Sequence, residues 1–115
     1  MPDAPTTTLQ TPGPRAAAPL PRRILVADQD ELSRDRRRTQ LHGSGYLVSV
    51  ARTGFEAIVK ACCQLPDLVV LDASLGEIEV AETARLLATC PVTAHIPVVR
   101  LGAGRRLLER VLATA

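Results

Sequence analysis

Two short apolar runs, Ile24-Leu25-Val26-Ala27-Asp28 and Leu68-Val69-Val70-Leu71-Asp72, each close on an aspartate, and this pairing restricts the fold more than any other feature of the chain. The second run starts after Pro66-Asp67 and gives way to Ala73-Ser74-Leu75-Gly76. Uninterrupted apolar residues between turn formers read as a strand buried on both faces. An aspartate at the end of such a strand stands on the carboxyl rim of the sheet, where ligands and reacting groups collect in open α/β folds. A strand-end aspartate also caps the next turn with its own side chain, and one run by itself does not separate the two roles.

The segments between these runs alternate strand and helix patterns. After Asp28, Asp30 is placed as an N-cap with Glu31 in the first helical turn, where negative charge suits the helix dipole. Residues 31 to 42 then read as a helix whose main apolar contacts are Leu32 and Leu41, ending at Gly43-Ser44-Gly45. Tyr46 to Ala51 is rich in β-formers and reads as a strand. Thr53-Gly54-Phe55-Glu56 fits a capping box. Phe55, Ile58, Cys62 and Leu65 recur at helical spacing, which predicts a helix over 54–65 with that face on the sheet and Pro66 as its stop. Ile78 to Ala88 reads as a third helix, Ile96 to Leu101 as a fourth strand with Pro97 near its start, and Arg105 to Ala113 as a last short helix. Strand followed by helix, repeated, implies a parallel sheet with crossover helices on its faces, so that Asp28, Asp72 and the Leu101-Gly102 junction share one rim.

Composition narrows the function classes. Six prolines, a Thr run and an Ala run crowd the first 21 residues, which predicts a disordered tail over residues 1–21 and a single small domain over 22–115. A net charge of +2 gives no reason to expect nucleic acid as a partner. No apolar run approaches the roughly 18 residues of a membrane span, and no secretory signal is evident, so a soluble cytoplasmic protein is expected. Cys62, Cys63 and Cys90 lack metal-ligand spacing and are expected to be reduced and packed in the core rather than to form a redox switch. Arg34, Arg36, Arg37 and Arg38 share their helix with Asp30, Glu31 and Asp35, which reads as a solvated charged face. His95 reads as a connector residue, and His42 as a residue suited to the negative end of the helix dipole.

The two Asp-terminated runs, the segment Thr93-Ala94-His95-Ile96-Pro97-Val98-Val99, the glycines before Tyr46 and the stretch Thr53-Gly54-Phe55-Glu56-Ala57 together resemble the receiver domain of two-component response regulators, over about residues 23 to 104. The resemblance implies a flavodoxin-like three-layer α/β sandwich, here shortened to about four βα units, without the fifth strand and helix. It also implies that Asp72 is the phospho-acceptor, served by a histidine kinase. Asp28, Asp72 and the backbone carbonyl of Ser74 would then hold Mg2+, a hard cation that takes oxygen ligands and neutralises the phosphoryl group in transit. The domain would be a signalling module and not an enzyme.

The departures from the family pattern bear on the same site. The second acid of the pair is Gln29, the hydroxyl residue after the fourth strand is Gly102, and no lysine matches the one that ends the family's fifth strand, because Lys60 in the second helix is the chain's only lysine. Each lost charge-assisted hydrogen bond is worth about 1.5–3 kcal/mol, so weak Mg2+ binding and poor acceptance and retention of phosphate are expected. Two functions follow from these residues. One is a stand-alone receiver in a phosphorelay. The other is a phosphorylation-independent pseudo-receiver that binds a histidine kinase or other signalling protein, or a second copy of itself, through an open sheet edge or the last helix.

Overall fold

The computed structural model describes residues 22 to 102. The expected tail over 1–21 and the expected helix over Arg105–Ala113 lie outside the described residues. Within them the order is β1 (Arg23–Ala27), α1 (Glu31–Gly43), β2 (Leu47–Ala51), α2 (Gly54–Gln64), β3 (Leu68–Asp72), a 3-10 turn (Ala73–Leu75), α3 (Glu77–Thr89) and β4 (Val98–Leu101). All strands are parallel, in the order β2-β1-β3-β4. This is the parallel sheet expected from the alternating pattern, in the flavodoxin-like arrangement that the family resemblance implies.

Register follows the apolar runs. Ala27 pairs with Ala51 and with Leu71, and Asp72 pairs with Leu101, so the carboxyl ends are level. Every residue of β3 is buried, as its unbroken apolar run requires. Side-chain alternation then splits the core in two. Leu25, Ala27, Val69 and Leu71 pack with residues of α2 and α3 on one face. Ile24, Val26, Leu68 and Val70 pack with Leu41 of α1 on the other. The chain leaves β1 toward β2 and then crosses back to β3, so the order reverses between β1 and β3. The crevice at their carboxyl ends is the position where open α/β sheets carry their sites.

Local signals hold at the helix starts. Asp30 caps α1 by accepting from the Ser33 N–H at 2.8 Å. Thr53 Oγ1 accepts from the Glu56 N–H at 3.0 Å, while the Glu56 carboxylate reaches one residue further back than a capping box requires, to the Arg52 N–H at 2.8 Å. α2 stops at Leu65, which takes the left-handed conformation at φ 49° just before Pro66. The buried Thr93 hydroxyl donates to the Leu87 carbonyl at 2.7 Å and closes the end of α3. Among the described residues no helix is long and apolar enough to cross a membrane.

Three packing expectations are corrected. The buried side of α2 is Gly54, Ala57 and Ala61, the glycine against α3 and the alanines in the core with the sheet, while Ile58 is partly buried. Phe55 is 76% exposed, and Cys62 and Leu65 are also exposed. Small side chains let the helix approach the sheet and α3, and this closeness turns the larger residues outward. The cysteines are therefore not core residues: Cys62 and Cys63 are exposed, and Cys90 is half-buried. On α1, Leu32 is exposed, whereas Arg34 and Arg37, expected on a solvated face, are buried together with Leu41.

Candidate functional site

Asp28 and Asp72 leave adjacent strands at the crevice where the strand order reverses, and both are buried. The turn after each strand then supplies donors to the carboxylate that precedes it. The Asp30 N–H donates to Asp28 Oδ1 at 2.9 Å, and the Ser74 N–H donates to Asp72 Oδ2 at 2.8 Å. Each aspartate thus makes the strand-end turn that its position in sequence allows.

Serine hydroxyls complete the shell around Asp28. Ser33, one turn into α1, donates to Oδ2 at 2.6 Å, and Ser74 donates to Oδ1 at 2.8 Å. Ser74 Oγ also accepts from the Gln29 N–H at 3.0 Å. Ser74 therefore ties the two turns together through its hydroxyl and its N–H, whereas the family resemblance looked to its carbonyl.

The cations come from α1. Arg34 Nη1 donates to the Asp28 main-chain carbonyl at 3.0 Å. Arg37 places Nη1 2.6 Å from Asp72 Oδ1 and Nε 3.7 Å from Asp28 Oδ2, so one guanidinium spans both carboxylates. Its angle to Asp72 departs from hydrogen-bond geometry, which makes the short contact an ion pair, and Asp72 Oδ1 is sealed from solvent. Such a pair in a poorly hydrated crevice resists separation more strongly than an exposed one.

The donors decide what else fits here. Asp28 Oδ1 and Oδ2 and Asp72 Oδ2 each accept from a serine hydroxyl or a main-chain N–H, and Asp72 Oδ1 faces Arg37. Gln29 supplies no charge, and among the described residues no cluster of three or more His, Cys, Asp or Glu is positioned to hold a metal ion. Mg2+ requires near-octahedral oxygen ligation. In this arrangement the cation between the two carboxylates is the Arg37 guanidinium.

Asp28, Asp72 and Ser74, singled out from the sequence, meet at one point. Arg37, Arg34 and Ser33 were missed. A signal for the arginines exists: positions 34, 37 and 41 share one helix face, so the buried stripe of Leu41 extends back through both arginines toward the aspartates. Gly102 lies at the mouth of a neighbouring cleft with Ala73, Glu77 and Arg100.

The Arg52 N–H, helped by Lys60 and opposed by partial burial, holds the Glu56 carboxyl below its ordinary value. Cover of its sulfur pushes the Cys62 thiol up, with the thiol of Cys90 adding to the effect.

No protein-family model matches the chain. The polar-differentiation response regulator DivK of Brucella anthropi is 30% identical over 84 residues, which cover 73% of this chain and 68% of DivK. The response regulator MprA of Mycobacterium sp. (strain KMS) is 35% identical over 92 residues, and the chain spans only 39% of its length. Among solved structures, the N-terminal domain of a response regulator receiver protein from Methanoculleus marisnigri superposes with a TM-score of 0.67 at 32% identity, covering 80% of this chain and 75% of that one. A response regulator from Chloroflexus aurantiacus reaches a TM-score of 0.71 at 22% identity, a likeness of fold, covering 82% of this chain and 94% of that one.

Proposed function

Because the chain belongs to the response regulator receiver family, we propose that it serves phosphorelay signalling as a pseudo-receiver, a module that binds a signalling partner without phosphorylation of Asp72. One observation carries this reading: the acceptor-position carboxylate is ion-paired to Arg37 at 2.6 Å, and its Oδ1 is sealed from solvent. Attack on a phosphodonor requires a free carboxylate oxygen and positive charge placed where the phosphoryl oxygens will lie. Here the oxygen is covered, the cation is already engaged by the carboxylates, and Gln29 and Gly102 replace side chains that the family uses around the phosphoryl group. A partner surface supports the same reading. Phe55 and Ile78 are largely exposed on either side of an open groove between α2 and α3, with Ile58 and Leu86 in its wall and Glu79 and Glu82 beside them. This face suits a histidine kinase or another signalling protein that offers apolar and basic side chains.

A working receiver is the second reading, and the position of Asp72 at the end of β3, with the Ser74 N–H on its Oδ2, favours it. Intact mass after incubation with acetyl phosphate and Mg2+ separates the two. No phosphoryl adduct on folded protein is the expected result. An Mg2+-dependent adduct that Asp72→Ala abolishes would overturn the pseudo-receiver reading and establish Asp72 as the acceptor.

A further inference from the structure

We propose that the Arg37 guanidinium is the resident cation of the acidic crevice, a built-in counter-ion that holds Asp28 and Asp72 together and renders the domain indifferent to divalent metal. The inference rests on the pseudo-receiver reading and supplies its physical cause.

Two buried carboxylates at adjacent strand ends repel each other, and the fold must place positive charge between them or leave one protonated. Arg37 is the group in place. It comes from the buried face of α1, its side chain is only 10% exposed, and its Nη1 and Nε atoms address one carboxylate each. The helix that carries it is fixed at three points near the crevice: the Asp30 cap, the Ser33 hydroxyl on Asp28, and Arg34 on the Asp28 carbonyl. A guanidinium remains charged at any pH a folded protein meets and presents its donors in a planar fork, so it bridges two carboxylates where a lysine ammonium would act as a point charge.

The local charge balance agrees. Asp28 and Asp72 carry two negative charges, and α1 brings two guanidiniums to them, Arg37 to both carboxylates and Arg34 to the Asp28 carbonyl. Gln29 is neutral where a further acid would call for a doubly charged ion. The remaining carboxylate oxygens accept from serine hydroxyls and main-chain N–H groups. Removal of Arg37 therefore leaves a pair of buried carboxylates, and an acid at position 29 adds a third carboxylate suited to a hard cation.

The test is a Mn2+ titration of the full chain, read by the loss of the free-ion electron paramagnetic resonance signal, alongside thermal unfolding in EDTA and in Mg2+. Wild type is expected to show no site-bound Mn2+ and the same melting temperature in both buffers. Arg37→Ala is expected to melt lower in EDTA and to recover part of that loss in Mg2+. Arg37→Ala combined with Gln29→Asp should show site-bound Mn2+ that wild type lacks, and its melting temperature should rise with the metal concentration. If Arg37→Ala does not fold in either buffer, Arg37→Gln, which keeps a hydrogen-bonding head without the charge, takes its place in the same comparison. Wild-type binding of Mn2+ as tight as that of the variants, or variants that gain neither binding nor metal-dependent stability, would overturn the proposal. The two readings fail separately. Mn2+ bound by wild type without phosphorylation removes this inference alone, and an Asp72 adduct that forms equally in EDTA, on a wild type that binds no Mn2+, removes the pseudo-receiver reading alone.

Discussion

α1 and α2 cover opposite faces of the sheet over the same two strands, β1 and β2, yet they bury opposite kinds of residue. α1 turns Arg34, Arg37 and Leu41 inward, while α2 turns Gly54, Ala57 and Ala61 inward. In both helices the bulky apolar residue of the first turn faces out, Leu32 at 60% exposure and Phe55 at 76%. The contrast shows that each buried face is set by what lies opposite it. α1 starts beside two carboxylates and needs charge there. α2 is held so close to α3 that its first residue has no room for a side chain.

The largest expected effect breaks the α1 side. Arg37→Ala leaves Asp28 and Asp72 buried without their shared cation and should destabilise the domain by about 3–5 kcal/mol, as removal of one partner from a buried pair does. Chemical denaturation checks this, and a loss no larger than that of an exposed arginine such as Arg36→Ala would mean that the crevice is solvated.

The α2 side breaks at its packing. A Cβ on Gly54 would overlap Thr83 Oγ1 and press on Glu79 Cγ at 3.0 Å, and the Gly54 N–H donates to the Glu79 carboxylate. Gly54→Ala should cost about 1–3 kcal/mol by overpacking. Gly54→Ala combined with Thr83→Ala should recover part of that cost in the same denaturation assay, since the nearest obstacle is then gone.

At the other end of α2 the expected sign reverses. Leu65 holds φ 49° and is exposed, so it carries the strain of a left-handed conformation without contributing to the core. Leu65→Gly should stabilise by up to about 1 kcal/mol, the strain relieved exceeding the flexibility gained by the unfolded chain. A lower denaturation midpoint would show that the Leu65 side chain contributes packing that outweighs its strain.

The smallest effect is electrostatic. The Glu56 carboxyl is held below its ordinary value of 4.5, first by the Arg52 N–H and then by Lys60, against partial burial. A carboxyl depressed on folding adds stability above its unfolded value, and that contribution is lost as pH falls through the lower folded value. Wild type should therefore melt slightly above Glu56→Gln at neutral pH. The gap should close on acidification below 4.5, and a gap independent of pH would assign the difference to hydrogen-bond geometry alone.

The parallel order of the strands was legible because it depends on short-range signals: unbroken apolar runs, prolines and glycines at their ends, and polar caps at Asp30 and Thr53. The convergence of Asp28 and Asp72 was legible for the same reason, since parallel strands must align their carboxyl ends, whereas Ser74 was named only through the family resemblance and by its carbonyl rather than the hydroxyl and N–H it uses. Hydropathy misled at the helix faces. It assigned Phe55 and Cys62 to the core and the arginines of α1 to solvent, because an apolar scale records the residue and not its opposite number.

By itself the sequence determined where strands and helices lie and which aspartates share a rim, since backbone preferences and chain connectivity are local properties. The tertiary structure alone decided that Arg37 enters the crevice and that α2 lies on its alanines. Both outcomes depend on distances between segments remote in the chain, from the α1 guanidinium to the β3 carboxylate at 2.6 Å and from Gly54 to Thr83. A charge is buried where another charge awaits it, and a helix face goes inward where the space matches its volume.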